Sequence, residues 1–427
     1  LVLVIAVLLV WAGLSAPALA SPSSPGNAGI SAQDTGSVQA DKKKKKCKKA
    51  KKGKKRKGCR KPTPPLLPTP PLPQPPAPEP APRIAAGGYH SCMIKSNGTL
   101  WCWGNNSGGQ LGDGTNTNRS TPTQVGAAAD WNTITAGDYH TCATRTNNTI
   151  WCWGYNDYGQ LADGTNTDRS TPIQVGGAAD WNNITAGGYH TCATRTNNTI
   201  WCWGFNTYGQ LGDGTNTNRS TPTQVGAAAD WNYITTGAAH TCASRTNGTL
   251  WCWGYNTYGQ LGVGTNANRT TPTQVGGAAD WNNITAGGTH TCATRTNGTL
   301  WCWGYNSDGQ VGDGTTTNRT TPTQVGAAAD WKNITAGAAH TCATKTNNTI
   351  WCWGYNSYWQ LGDGTTTNRS TPIQVGGAAD WNDITAGDYY TCTTKTNNTI
   401  WCWGYNNYGQ LGDGTNTDRS TPTLILS

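Results

Sequence analysis

Two cysteines ten residues apart, the first preceded by a histidine in all but the last copy, recur seven times along this chain at a spacing of 50 residues. The pairs are Cys92 with Cys102, Cys142 with Cys152, Cys192 with Cys202, Cys242 with Cys252, Cys292 with Cys302, Cys342 with Cys352 and Cys392 with Cys402. With Cys47 and Cys59 they account for all 16 cysteines. Two chemistries compete for such residues. Zinc needs four ligands in a structural site and favours Cys-x-x-Cys spacing, whereas each repeat offers one histidine and two cysteines. An even count, with a near partner for every thiol, fits disulfides formed in an oxidising compartment. Each bridge would close a loop of about eleven residues and contribute ~2–3 kcal/mol.

The histidines are His90, His140, His190, His240, His290 and His340, with Tyr390 at the seventh position. Imidazoles at matching positions of separate units stand too far apart to share a metal, and a repeated structural hydrogen bond accounts for them. The stretch Asp163-Gly164-Thr165-Asn166-Thr167-Asp168 has a calcium-like run of oxygens but lacks the bidentate glutamate of known calcium loops. Asx-type turns explain the same residues, and Val263 breaks the pattern in the fourth repeat. No Ser/His/Asp trio, phosphate-cradling glycine loop or unrepeated carboxylate pair stands out from the repeat. Catalysis needs a locally unique constellation. The expectation is a non-enzymatic protein with no catalytic residues, resident metal or cofactor.

The positions that vary between copies carry more information. Immediately before the histidine stand Tyr89, Tyr139 and Tyr189, with Tyr389 in the last copy, while Ala239, Thr289 and Ala339 replace them in repeats four to six. If the repeats close into a ring, the four tyrosines form one contiguous arc, with Asp138 and Asp388 beside two of them. A glycine-flanked loop further on carries Tyr155, Tyr158, Phe205, Tyr208 and Tyr408, among others. Aromatic rings on rigid loops are common in binding surfaces; packing between neighbouring units is the alternative use.

The elements that must position these residues are strands. Tyr139 to Gly154 reads as a β-hairpin, with β-branched and aromatic residues flanking Asn147-Asn148; three copies place Asn-Gly there, at Asn97-Gly98, Asn247-Gly248 and Asn297-Gly298. A three-residue loop, Thr146 to Asn148, would set Cys142 directly opposite Cys152 at a non-hydrogen-bonded position, where side chains approach closest. A two-residue loop would spoil that alignment. Strand alternation puts Trp151 and Trp153 on the face opposite Cys152. Ile134-Thr135-Ala136 leads into the hairpin, and Thr171-Pro172-Ile173-Gln174-Val175 adds a short strand. Short strands with turn signals every 8–12 residues or so make the chain all-β. Seven copies of equal length make it one repeat architecture. The two ends would complement each other, so the ring is expected to close by pairing the last strand into the first blade.

Gly137-x-x-His140, Trp153-Gly154-x-Asn156-x-x-Gly159-Gln160-Leu161-x-x-Gly164 and Pro172-x-x-Val175 together resemble the regulator-of-chromosome-condensation repeat, in seven tandem copies over 84–427. The resemblance implies a seven-bladed β-propeller of about 50-residue repeats, with four strands per blade, in a sealed ring. It implies little about activity. Members of the family include a nuclear exchange factor for a small GTPase and a secreted bacterial inhibitor of β-lactamases that works through one propeller face. The exchange factor relies on a projection inserted into one blade. The uniform spacing here has no such insertion, so exchange activity is not expected.

Residues 1–20, apolar from Leu1 to Trp11 and ending Ala18-Leu19-Ala20, read as a secretory signal peptide, with a membrane anchor as the competing use. The only methionine is Met93, so the sequence reads as truncated or as begun at an unusual start codon. Residues 21–61 hold a Ser/Gly/Ala/Pro stretch expected to be disordered, then Lys42–Lys61, with fifteen Lys/Arg in twenty residues. Residues 62–83 form a proline-rich linker, with twelve prolines, expected to reach ~65 Å as polyproline II. Sixteen basic residues against three acidic ones fall in 21–83, and fifteen against nineteen in 84–427. The net +9 is therefore a basic tail on a mildly acidic body. Outside a cell that tail would meet anionic envelope polymers rather than nucleic acid, or serve as a solvated tail only. The sequence thus describes an exported or surface-associated bacterial protein, a monomeric propeller scaffold binding a protein or glycan. The alternatives are a polysaccharide-acting propeller lyase or hydrolase and a structural or adhesive surface protein.

Overall fold

A computed structural model of the chain describes residues 83–426. The expected signal peptide, the Lys42–Lys61 segment, the proline-rich linker up to Pro82 and the pair of Cys47 and Cys59 lie outside the described residues. Within those residues the chain is all-β, in seven four-stranded antiparallel sheets, each made of consecutive strands. Blade 1 comprises β1 (Arg83–Ala86), β2 (His90–Ile94), β3 (Leu100–Gly104) and β4 (Arg119–Gln124). Blade 2 comprises β5 (Trp131–Ala136), β6 (His140–Arg145), β7 (Ile150–Gly154) and β8 (Arg169–Gln174). The other five blades repeat this pattern. The end of each blade's first strand lines a central channel, which leaves the fourth strand at the rim. The lead-in strand starts earlier than expected, at Trp131, and the short outer strand at Arg169.

The hairpin turns through three residues. Arg145 N donates to Thr149 O at 3.0 Å and Asn148 N to Arg145 O at 3.0 Å. Asn148 takes φ 60°, and Gly98, its counterpart in blade 1, takes φ 76°, the left-handed backbone that Asn and Gly tolerate best. Counting outward, Cys142 pairs with Cys152 at a Cα–Cα distance of 4.1 Å. Every other blade repeats that cross-strand disulfide in the expected pairing. Cys92 bonds to Cys102, Cys192 to Cys202, and Cys242 to Cys252. Cys292 bonds to Cys302, Cys342 to Cys352, and Cys392 to Cys402. Fourteen thiols are thereby consumed, and none of them is left for a metal.

Alternation then decides where the core lies. The cystine side of one blade meets the tryptophan side of the next, so Cys92, Cys102 and Leu100 pack with Trp131, Ala143 and Trp153. Seven such clusters divide the apolar core among the joints between blades. A hydrogen-bond relay ties the same joint. His90 Nε2 lies 2.7 Å from Thr141 Oγ1, whose hydroxyl donates to Gln110 O at 2.8 Å; Trp153 Nε1 donates to that carbonyl at 2.9 Å. Because Thr141 commits its hydrogen to Gln110, it accepts from His90, which fixes the Nε2–H tautomer. The six histidines are wholly buried. Burial lowers their pKa to about 3, or to about 4 for His290, so they stay neutral.

The seam differs from the sequence expectation. The outer strand of blade 7, Arg419–Leu426, pairs with that blade's own third strand, Ile400–Gly404, and not with blade 1. The described chain starts on an inner strand and ends on an outer one, so no strand is left over to exchange. Side chains seal the ring instead: Ile84, Met93 and Trp103 pack with Cys392, Cys402 and Leu411. At this joint Tyr390 stands for the histidine and Ser91 for the threonine. Tyr390 OH donates to His90 O at 2.6 Å and lies 2.9 Å from Ser91 Oγ, which donates to Gln410 O at 2.8 Å. Serine, one methyl smaller, accommodates the larger phenol.

Candidate functional site

A four-stranded meander places its first and third turns at one end and its second turn at the other, so the ring has two chemically distinct faces. On the face with the β6–β7 turns, the Arg145 guanidinium sits 4.7 Å from the Trp131 ring and 4.3 Å from Trp151. It also meets Asp130 at 3.7 Å. Arg195, Arg245, Arg295, Lys345 and Lys395 repeat this device. It is the same in blade after blade and serves the fold.

The other face gathers the residues that vary. The turn before His140 carries Tyr139 and the β7–β8 loop carries Tyr155 and Tyr158. The inner arc is continuous: ring centroids of Tyr389 and Tyr89 are 6.4 Å apart, Tyr89 and Tyr139 6.1 Å, and Tyr139 and Tyr189 6.0 Å. Loop aromatics join it edge-on, with Tyr408 at 5.5 Å from Tyr89 and Tyr158 at 5.6 Å from Tyr189. Across blades, Tyr158 meets Phe205 and Tyr208 meets Tyr255, each at 4.8 Å. The pavement breaks where Asp308 takes the place of an aromatic residue. The rings are half-buried: they pack across blades, the alternative use anticipated for them, and leave part of their surface turned outward.

Inside the arc the channel is lined by glycine, alanine, Thr235, Thr236 and Thr285, interrupted by Asp138 and Asp388, with a volume of about 160 Å³. Gly88 of blade 1 lies between the two aspartates in blade order; a Cβ placed on Gly88 would lie 3.2 Å from Asp388 Oδ2, and one on Gly188 2.9 Å from Asp138 Oδ2, so Asp388 leans toward blade 1 and Asp138 toward blade 3. Their side chains have no hydrogen-bond or ion-pair partner among the described residues. Burial pushes the Asp138 pKa up to about 6; burial and then the Asp138 charge hold Asp388 well above the carboxylate range. Burial first, then these carboxylates, raise Tyr139 and Tyr389 to about 12. An unrepeated carboxylate pair therefore does exist, which corrects the sequence expectation. The signal was in plain view as the only two aspartates at a position that is otherwise Gly or Ala, but their convergence needed the ring.

The oxygen-rich loop is self-satisfied. Asp163 Oδ1 accepts from Thr165 N at 2.9 Å and Oδ2 from Arg169 Nη2 at 2.6 Å, the Asx-type turn. Asn156 Nδ2 donates to Thr165 O and Thr167 O, each at 3.1 Å. No group of three His, Cys, Asp or Glu that could hold a metal ion occurs among the described residues.

Charge separates the faces. Twelve ion pairs occur among the described residues. Outside them, the tyrosine face keeps Asp138, Asp157, Asp168, Asp308, Asp388 and Asp418 against Arg269 alone; the opposite face keeps Arg83, Lys95 and Lys332 against Asp383. The tyrosine face is acidic and the opposite one weakly basic. Trp359, which takes φ 60° where every other blade has glycine, adds a further ring and backbone strain to the acidic face.

A closed ring of seven near-identical blades, uniform on one face and individual on the other, defines a repeat-propeller scaffold. Two sequence models for the Regulator of chromosome condensation (RCC1) repeat match the chain. One covers residues 97–144, 147–194, 197–244, 247–294, 297–344, 347–393 and 397–427. The other covers 83–110, 131–160, 181–210, 233–260, 281–310, 331–360 and 381–410. The chain belongs to this family. Yeast RCC1 (Prp20), solved with Kap60 bound, has a TM-score of 0.69 at 21% identity over 77% of this chain and 83% of that one. Prp20p from Saccharomyces cerevisiae, whose binding to Gsp1p and histones was characterised with its structure, gives 0.69 at 20% identity, covering 77% and 85%. Human WBSCR16 gives 0.69 at 18% identity, covering 77% and 95%. At these identities the likeness shows the fold. No curated protein matches the sequence.

Proposed function

We propose that this chain is an exported, non-enzymatic propeller scaffold that binds a protein partner through its tyrosine face. One observation carries the reading: in a ring whose blades otherwise repeat, Tyr389, Tyr89, Tyr139 and Tyr189 form a contiguous arc around two carboxylates without partners. Partner binding by yeast Prp20, Kap60 in one structure, supports a protein ligand over a glycan. Seven disulfides fit an oxidising setting outside the cytoplasm, and no helix among the described residues is long and apolar enough to cross a membrane. In this reading residues 1–20 direct export, Lys42–Lys61 associates with anionic envelope polymers, and 62–83 is the spacer. Association through the basic segment is expected to be released by salt.

The test is capture. The oxidised full chain and a variant with Tyr89, Tyr139, Tyr189 and Tyr389 changed to alanine are immobilised and exposed to envelope and secreted-protein extracts. A protein kept by the first and lost by the second, with both folded, is the expected result. Equal retention by the two would remove the face from consideration. The Asp138/Asp388 pair favours a second reading, a polysaccharide-acting enzyme using two carboxylates of unequal ionisation; turnover of any polysaccharide, abolished in Asp138→Asn, would establish it.

A further inference from the structure

We infer that the tyrosine face recognises its protein partner by a lysine or arginine side chain inserted at the channel mouth, between Asp138 and Asp388. This rests on the binding-face reading above and adds the chemistry of the contact. Four observations converge on it. Asp138 and Asp388 line a channel whose other residues are glycine, alanine and three threonines, and neither has a hydrogen-bond or ion-pair partner among the described residues. Asp388 Oδ2 leans toward Gly88 and Asp138 Oδ2 toward Gly188, so two half-buried like charges share one channel, which is costly unless a cation or protons compensate it. The channel holds about 160 Å³, far above the ~10–15 Å³ that admits one water, so an alkyl stem with its charged head has room. The tyrosines of the arc border that mouth on the side of the two aspartates, and ring faces attract cations.

Charge across the molecule points the same way. Outside the ion pairs, six carboxylates against Arg269 alone lie on this face, whereas the opposite face is weakly basic. Asp168 and Asp418 accept from the backbone N–H of Asn156 and Asn406 at 2.8 and 2.7 Å, the job that Asn118 and Asn218 do without charge in other blades. Their negative charge is thus surplus to the loop and steers a basic partner toward the face.

The full oxidised chain is panned at pH 7.5 against a displayed library of disulfide-cyclised loops of random sequence, and the enriched loops are synthesised. Lysine or arginine at the loop tip is the expected consensus. Replacing it with norleucine should weaken binding roughly thirtyfold or more, as should Asp138→Asn with Asp388→Asn. Asp383→Asn, on the opposite face, should bind as the parent does. The norleucine arm leaves the protein untouched, so it decides even if the double asparagine variant folds poorly. Lowering the pH from 7.5 to 5.5 should weaken binding. The titratable groups that interact with these carboxylates are each other and the hydroxyls of Tyr89, Tyr139, Tyr189 and Tyr389, and the buried histidines stay neutral. Loops without a basic residue that lose binding on the four-alanine variant but ignore both asparagine changes would overturn this inference and leave the binding face standing. Loops that bind the four-alanine variant undiminished, or no enriched loop at all, would overturn both.

Discussion

The two faces of the ring use aromatic residues in opposite ways. On one, Trp131 and Trp151 hold Arg145, Asp130 neutralises it, and the arrangement recurs with Arg or Lys in the five blades that follow. On the other, tyrosines touch mostly one another and surround carboxylates with no cation. Where blades repeat, the chemistry is closed on itself; where they deviate, it is left open toward solvent. In a protein of near-identical units, deviation from the repeat is thus a better guide to function than the repeat.

That contrast can be broken or sharpened. The largest effect is expected between the faces, at the joints: Trp153→Ala should cost about 3–5 kcal/mol, read as a fall in denaturation midpoint, because the indole is fully buried against the neighbouring blade. Acid should act on the same joints. The histidines hold pKa values of about 3–4 when folded against an ordinary 6.5 or so when unfolded. The unfolded chain therefore binds more protons, and stability complete above that ordinary value falls as pH drops toward 4. Asp138, raised to about 6, has the opposite sign and offsets part of the loss. A melting temperature that stays flat between pH 7 and 5 would contradict the buried neutral imidazoles. Removing one disulfide as Cys142→Ser with Cys152→Ser should cost about 2–3 kcal/mol and leave capture unaffected. On the acidic face, Trp359→Gly should raise stability by about 1 kcal/mol by relieving the positive φ while weakening partner binding. The smallest effect belongs to the repeated face, where Arg145→Met should lower stability by only about 0.5–1 kcal/mol and leave binding unchanged.

Much of the fold was legible because it rests on counting. Three loop residues after Arg145 put Cys142 opposite Cys152, and alternation put Trp153 on the other side, before any coordinates were needed. The same count held at Cys202, Cys252, Cys302 and Cys352, each opposite the cysteine ten residues before it. The seam was not legible. Strand exchange and self-contained blades predict the same repeat spacing, and only the pairing of Arg419–Leu426 with its own blade distinguishes them. The candidate site was half legible: the tyrosine arc follows from closing a ring, but the placing of Asp138 and Asp388 in one channel, leaning toward Gly188 and Gly88, depends on how adjacent blades approach at the axis.

The Tyr390–Ser91 joint bears on how such a molecule knows where it ends. Six joints carry the same His–Thr pair, so those blade surfaces are close to interchangeable labels. The seventh carries a lock and key of its own. A chain folding from such parts can pair a blade with the wrong neighbour, or with a neighbour from another chain. Only the terminal blades bear matching punctuation, which marks the first and last words of the sentence and rewards the arrangement in which they adjoin. Tandem duplication of an inner blade would leave that punctuation intact, so the joint identifies the ends without counting what lies between them.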